Sequence, residues 1–242
     1  MPTKVKSTSA KTERFEGFAD ARCTFFRELA KRQDRAWFAA HKGEFKTGYE
    51  EPMQALLAEA RDRVDGAYPD CEIAEPKVFR IHRDVRFSPD KSPYKTHVGG
   101  VLYMSVGKKG TNDAPSPLYV QIGTKCLAAA GHYMMDGPQL ARFREAVLDD
   151  DSGKELQALT AKLEKKGYEI GSFEQLKKVP RGVDPEHPRA ALLKHKGLIV
   201  TFPAFSSPKL IAERGLLDEV VKHAKAVAPL VRWLTFNVPA RG

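Results

Sequence analysis

Between Val78 and His97 the chain reads VFRIHRDVRFSPDKSPYKTH, which places five Lys or Arg, two Asp and two His in one short segment. Side chains of these types at this density suit recognition of an oxyanion. A guanidinium offers a planar fork that meets phosphate or carboxylate at two points, and lysine adds a compact charge. Arg80, Arg83, Arg86, Lys91 and Lys95 would supply that charge, with Ser88 and Asp90 completing the ligand-binding set. Asp84 would orient an arginine or act as a base, and Tyr94 could donate to an anionic oxygen. His132, in Gly131-His132-Tyr133, is the third candidate for proton chemistry, because backbone can approach a ligand closely at a glycine.

A strand from about Pro76 to Phe87 would position the first of these groups. Its period of two places Phe79, Ile81, Val85 and Phe87 on one side, with Arg83 the exception. Val78, Arg80, His82, Asp84, Arg86 and Ser88 fall on the other. Ser88-Pro89-Asp90-Lys91-Ser92-Pro93-Tyr94 then carries turn chemistry, with two prolines fixing φ and Ser and Asp able to bond nearby backbone. A second basic run, Lys177 to Lys196, is stiffened by prolines at 180, 185 and 188 and brings Arg181 and Lys194 as further ligand-binding candidates. The formal charge of +9 is concentrated: residues 1–14 carry +3, 78–97 carry +3 and 177–196 carry +4, leaving the rest near neutral. If the second and third segments meet, they form one strongly positive site.

The rest of the chain reads as scaffold. Phe15, Phe18, Phe25, Phe26 and Leu29 predict a helix from Phe15 to Arg32, and Asp34 caps a second from Arg35 to Phe45. Gly48 separates it from a third, which opens on Pro52 and buries Met53, Leu56, Leu57, Ala60 and Val64. Strands are expected at Val98 to Val106, Leu118 to Ile122 and Cys126 to Met134, close enough together to require antiparallel pairing. Asp136 with Gln139, and Ser152 with Glu155, are capping-box signals for two further helices. Gly197 to Phe202 reads as a late strand, a short helix follows Ser207, and Leu216 to Leu234 forms the final helix. This order predicts an α+β fold, a mainly antiparallel sheet packed with several helices.

At 242 residues, with no long linker, the chain fits a single domain from residue 12 to 242 preceded by a disordered basic arm, residues 1–11. Three widely spaced cysteines, Cys23, Cys71 and Cys126, form no C-x-x-C pair, which suits free thiols in the cytoplasm. The start lacks the apolar core of a secretory signal, and no apolar run is long enough to span a membrane. No Walker loop, G-x-S-x-G elbow, H-E-x-x-H or dinucleotide fingerprint is present, so no cofactor or metal is expected.

Arg80, Arg83-Asp84, Arg86-Phe87-Ser88, Asp90-Lys91 and Pro93-Tyr94-Lys95 together resemble the long R-x-x-R-D-x-R-F-S-x-D-K-x-P-Y-K signature of the DUF2461 family. The likeness extends to the Trp37-Phe38 pair, the Gly131 to Met134 segment and Pro180-Arg181-Gly182 with Leu193-Lys194. It implies the fold above and a joint role for the signature residues, but no particular activity. His82 falls at a variable position of that signature, which makes it a bystander. The residues therefore point first to a pocket for a phosphate-containing or other anionic small molecule, with hydrolytic or transfer chemistry open. The same basic surface also fits a nucleic-acid-binding module, and the charges also fit a structural or partner-binding network that locks strand to loop.

Overall fold

The computed structural model describes residues 14–106, 109–110, 113–205 and 207–239. The basic arm expected at 1–11 lies outside them. Helix α1 (Thr24–Arg32) is shorter than its apolar stripe predicts. Phe15 and Phe18 are buried as expected, but from irregular chain whose backbone bonds to distant partners: Phe15 N donates to Glu59 Oε1 at 2.6 Å and Phe18 N to the Ile211 carbonyl at 2.9 Å. Asp34 caps α2 (Arg35–Phe45) by accepting from Trp37 N at 2.7 Å. Gly48 does not separate the next helix. A π-helical turn, Lys46–Glu50, carries the chain directly into α3 (Glu51–Val64), which buries Met53, Leu56, Leu57, Ala60 and Val64.

The middle of the chain supplies β1 (Glu72–Ile73), β2 (Lys77–Val78), β3 (His97–Leu102), β4 (Met104–Val106), β5 (Lys109–Gly110), β6 (Ser116–Gly123) and β7 (Leu127–His132). Helices α4 (Gly137–Leu148) and α5 (Asp150–Glu164) follow, then β8 (Glu169–Gly171), α6 (Ala190–Leu193), β9 (Leu198–Thr201), α7 (Pro208–Ile211) and α8 (Gly215–Asn237). The capping box of Asp136 and Gln139 opens α4 as predicted. Helix α5 starts earlier than expected because Asp149, not Ser152, caps it, accepting from Asp151 N and Ser152 N. Ser152 Oγ instead donates to the Ala146 carbonyl at 2.7 Å.

Six strands form one sheet in the order β2-β3-β6-β7-β9-β8, and β1, β4 and β5 form a small second sheet; every pairing is antiparallel. With the helices gathered beside that sheet, this is the predicted α+β single-domain architecture. The strand expected from Pro76 to Phe87 is corrected: regular pairing stops at Val78, and residues 79–96 leave the sheet as a long loop.

The two faces of the main sheet differ. On one, Val98, Gly100, Leu102, Val120, Ala128 and Val200 enter the core against α3 and α8. A Cβ at Gly100 would lie 2.5 Å from a Leu57 methyl, so any larger residue there would push the Leu57 side chain aside where β3 meets α3. The remaining described helices join this α3–α8 layer. The opposite face carries Gly99, Val101, Tyr119, Gln121 and Ala129, which the antiparallel register places side by side across β3, β6 and β7. No described helix packs on it.

A bulge in the β6–β7 pairing ends at Gly131, whose φ of 116° belongs to glycine and whose missing Cβ would lie 2.1 Å from the Leu198 carbonyl oxygen. Gly131→Ala is expected to lower unfolding stability by about 2 kcal/mol or more, because strained backbone and a backbone clash act together. Chemical denaturation of the two proteins checks this, with the ordinary alanine substitution Gly137→Ala, where the space is open, as the comparison.

Candidate functional site

The loop 79–96 folds back on itself as an irregular hairpin. Arg83 N donates to the Pro93 carbonyl at 2.9 Å and Lys95 N to the Ile81 carbonyl at 2.8 Å, with His82 and Tyr94 forming an isolated bridge between them. Its inner side is anchored to the N-terminal helices. Tyr94 is buried with its ring stacked on Phe38, centroids 4.5 Å apart, and Gln33 bonds both the Tyr94 N–H and its carbonyl. The alternation of types that suggests a strand survives as far as Arg86, with Ile81 buried and His82, Asp84 and Arg86 exposed. It fails at Phe87, which is 93% exposed at the tip instead of facing the core.

Most of the signature side chains bond to one another. Arg83 donates to Asp90, to the Ser92 carbonyl at 3.2 Å and to Ser88 Oγ at 3.3 Å. Asp90 also accepts from the Ser92 N–H and hydroxyl, and these bonds hold its carboxyl down to about 2. Arg86 grips Asp84 at two points, 3.0 and 2.7 Å, which likewise holds that carboxyl at about 2. Lys91 Nζ donates to the Val85 carbonyl at 2.9 Å. A carboxylate so stabilised in its ionised form is a poor base at neutral pH. Removing the central fork by Arg83→Ala is expected to free the tip, raising proteolytic nicking within residues 84–92 by about tenfold, the equivalent of one charge-assisted hydrogen bond. Phe87→Ala, which removes no described packing contact beyond the Arg86 guanidinium 5.8 Å above its ring, should leave the nicking rate unchanged.

Two of the expected cations stand outside that network. Neither Arg80 nor Lys95 makes an ion pair or a side-chain hydrogen bond with a described residue. They lie close to each other: burial lowers the Lys95 pKa, and the neighbouring Arg80 charge lowers it further. The Lys95 ammonium sits 5.3 Å from the centroid of the Phe79 ring, and Lys77 sits 5.6 Å from it. His97 completes this corner of the open face. Burial, helped by the Lys95 charge, drives its pKa down to about 4, so it is neutral at physiological pH.

The three candidates for proton chemistry occupy separate surroundings. Asp84 is exposed at the loop tip, Tyr94 is packed on α2, and His132 is 1% exposed inside β7. Neither His132 ring nitrogen has a hydrogen-bond partner of normal geometry among the described residues, and burial lowers its pKa to about 4. Arg181 and Lys194 follow β8, at the opposite edge of the sheet from β2 and the loop 79–96. Strand order thus keeps the two basic runs apart instead of making them two walls of one pocket. A cleft of about 530 Å³ between α1 and α2, lined in part by Asp20, Phe25, Trp37 and Tyr49, contains none of the expected site residues. Among the described residues no group of three or more His, Cys, Asp or Glu is placed to hold a metal ion, and no helix is long and apolar enough to cross a membrane.

The buried His132 and the half-buried His97 set an acid limit on stability. His132 and His97 are neutral in the fold down to about pH 4, whereas in the unfolded chain they protonate near pH 6.5. Between those values the unfolded state binds more protons, so stability falls as pH falls, by up to about 1.4 kcal/mol per pH unit for each histidine. Urea unfolding at pH 7 and pH 5 should show this loss, and His132→Gln should flatten it.

The sequence points to Tyr133 only as the phenol beside His132 and does not single out Phe79, Tyr119 or Phe173; strand order brings all four onto or beside the open face. Phe79 and Tyr119 have ring centroids 6.3 Å apart, and Tyr133 and Phe173 5.2 Å apart. The alternation of Leu118 to Ile122 already sets Tyr119 and Gln121 on one side, but only pairing shows which face that is.

Fold and site define an α+β protein with one face of its sheet packed on helices and the cations Arg80 and Lys95 beside the edge of the other. The chain belongs to the family described as "Conserved hypothetical protein (DUF2461)", whose model matches residues 21–233. Searches of curated proteins and of solved structures returned no match.

Proposed function

We propose that this protein binds a phosphorylated or otherwise polyvalent anionic ligand at the corner formed by Arg80 and Lys95. One observation carries the reading: these two cations stand together at the edge of an open sheet face with no carboxylate paired to either among the described residues. Holding like charges together without a counterion is unfavourable unless an anion joins them. The carboxylate that acts on Arg80 is Asp84, and it is already gripped by Arg86. Lys77 and the neutral imidazole of His97 flank the same corner. Arg83, Arg86, Ser88, Asp90 and Lys91 shape the loop that presents Arg80, so their contribution to binding is positional. The arrangement favours recognition over reaction, since Asp84, Tyr94 and His132 share no common site.

Thermal denaturation with phosphate, pyrophosphate or tripolyphosphate, at ionic strength fixed with chloride, tests this. A polyvalent phosphate at tenfold its Kd should raise Tm by about 3 °C. The Arg80→Ala/Lys95→Ala double variant should lose the rise. No rise over chloride, or an equal rise in the variant, would remove the corner as the binding site.

A further inference from the structure

We infer that the anion recognised at this corner is the backbone of a single-stranded nucleic acid, whose bases lie along a row of rings on the open face of the sheet. The inference rests on the anion-binding reading of Arg80 and Lys95 and extends it to a ligand class. Phe79 begins the row at the β2 edge, 6.3 Å from the Tyr119 ring on β6. Tyr133 lies near enough to act electrostatically on the Tyr119 hydroxyl, and Tyr133 then meets Phe173, 5.2 Å away, beyond the β8 edge. Tyr133 is 58% and Phe173 65% exposed, large apolar surfaces that the protein's own packing leaves in water. Gly99, Val101 and Ala129 between the rings are themselves buried, so the surface a flat ligand meets is that of the rings.

Charge lies at both ends of the row. Lys77, Arg80 and Lys95 mark the first end. At the other, Phe173 leads directly into Lys177, Lys178 and Arg181, all exposed and none ion-paired with a described residue. The sheet order places four strands between β2 and β8, so at the usual strand spacing the two basic ends stand about 24 Å apart. A small anion engages one end and leaves the rings and the second end idle. An extended polyanion reaches both, and only one with exposed flat bases also uses the rings. In a duplex the bases are stacked on one another and closed to such a platform, whereas a single strand offers a π-face at each step.

Fluorescence anisotropy on the full chain tests this, using a labelled mixed-sequence 12-nucleotide RNA, the same sequence as single-stranded DNA, the matching duplex, and polyphosphate as a base-free competitor. The expected result is at least tenfold tighter binding of a single strand, RNA or DNA, than of the duplex, with polyphosphate a weak competitor. Tyr133→Ala/Phe173→Ala should weaken the single strand about tenfold or more, with an unchanged melting temperature because both rings are exposed. Lys177→Ala/Lys178→Ala/Arg181→Ala should reduce the steepness of the salt dependence by roughly two phosphate contacts, a slope change of about 1.4. If polyphosphate competes equally and the ring variant binds as well as the parent, the nucleic-acid inference fails; the anion corner still stands if Arg80→Ala/Lys95→Ala abolishes polyphosphate binding. Preference for the duplex also overturns the inference, and absence of binding to any polyanion overturns both readings.

Discussion

The packing of one sheet face on α3 and α8 is the constraint from which the rest of this structure follows. Leu57 and Met53 reach so closely over β3 that a larger residue at position 100 would displace them, and the apolar residues of β6, β7 and β9 continue the same contact under α8. Truncating a buried leucine in such an interface costs about 2–5 kcal/mol, so this face fixes strand register against slippage. A shift by one residue would exchange its apolar side chains for those of the opposite face. Because α1, α2, α4 and α5 all add to the helical side, the second face is left without a helical cover.

The loop 79–96 shows how a dense charge signature can be spent on holding a loop in shape. Arg83, Arg86, Ser88, Asp90 and Lys91 spend their donors and acceptors on each other and on nearby carbonyls. Exposed ion pairs of this kind contribute little to global stability. Their effect is local: they hold a segment without regular secondary structure in one shape, while Gln33 and Phe38 fasten its inner side to the helices. What that rigidity leaves over is the pair Arg80 and Lys95 at the sheet edge and the bare Phe87 ring at the tip.

Electrostatics and topology then act together. The two basic runs would make a pocket if they met, but β2 and β8 are the two edges of a six-stranded sheet. The two basic groups therefore belong to opposite edges of the sheet, with aromatic rings between them. That distribution suits an extended ligand, for which the separation of charges matters as much as their number.

Much of the architecture was legible in the residues themselves. The apolar spacing of Met53, Leu56, Leu57, Ala60 and Val64, the Asp34 cap and the Asp136–Gln139 box all act through neighbours a turn away, so local sequence determined α2, α3 and α4. The family signature and its charges were equally plain. Period-two alternation could not show that regular pairing would stop at Val78, because a strand exists only where another strand supplies its hydrogen bonds. Nor could it reveal β8, whose three residues are strand only beside β9. The same limit applies to the candidate site. Sequence named Arg80 and Lys95 among seven basic candidates, but which were neutralised, which stayed free and which rings lay beside them depended on side chains far apart in the chain. Those pairings are set by strand order and helix packing, and only the tertiary structure decides them.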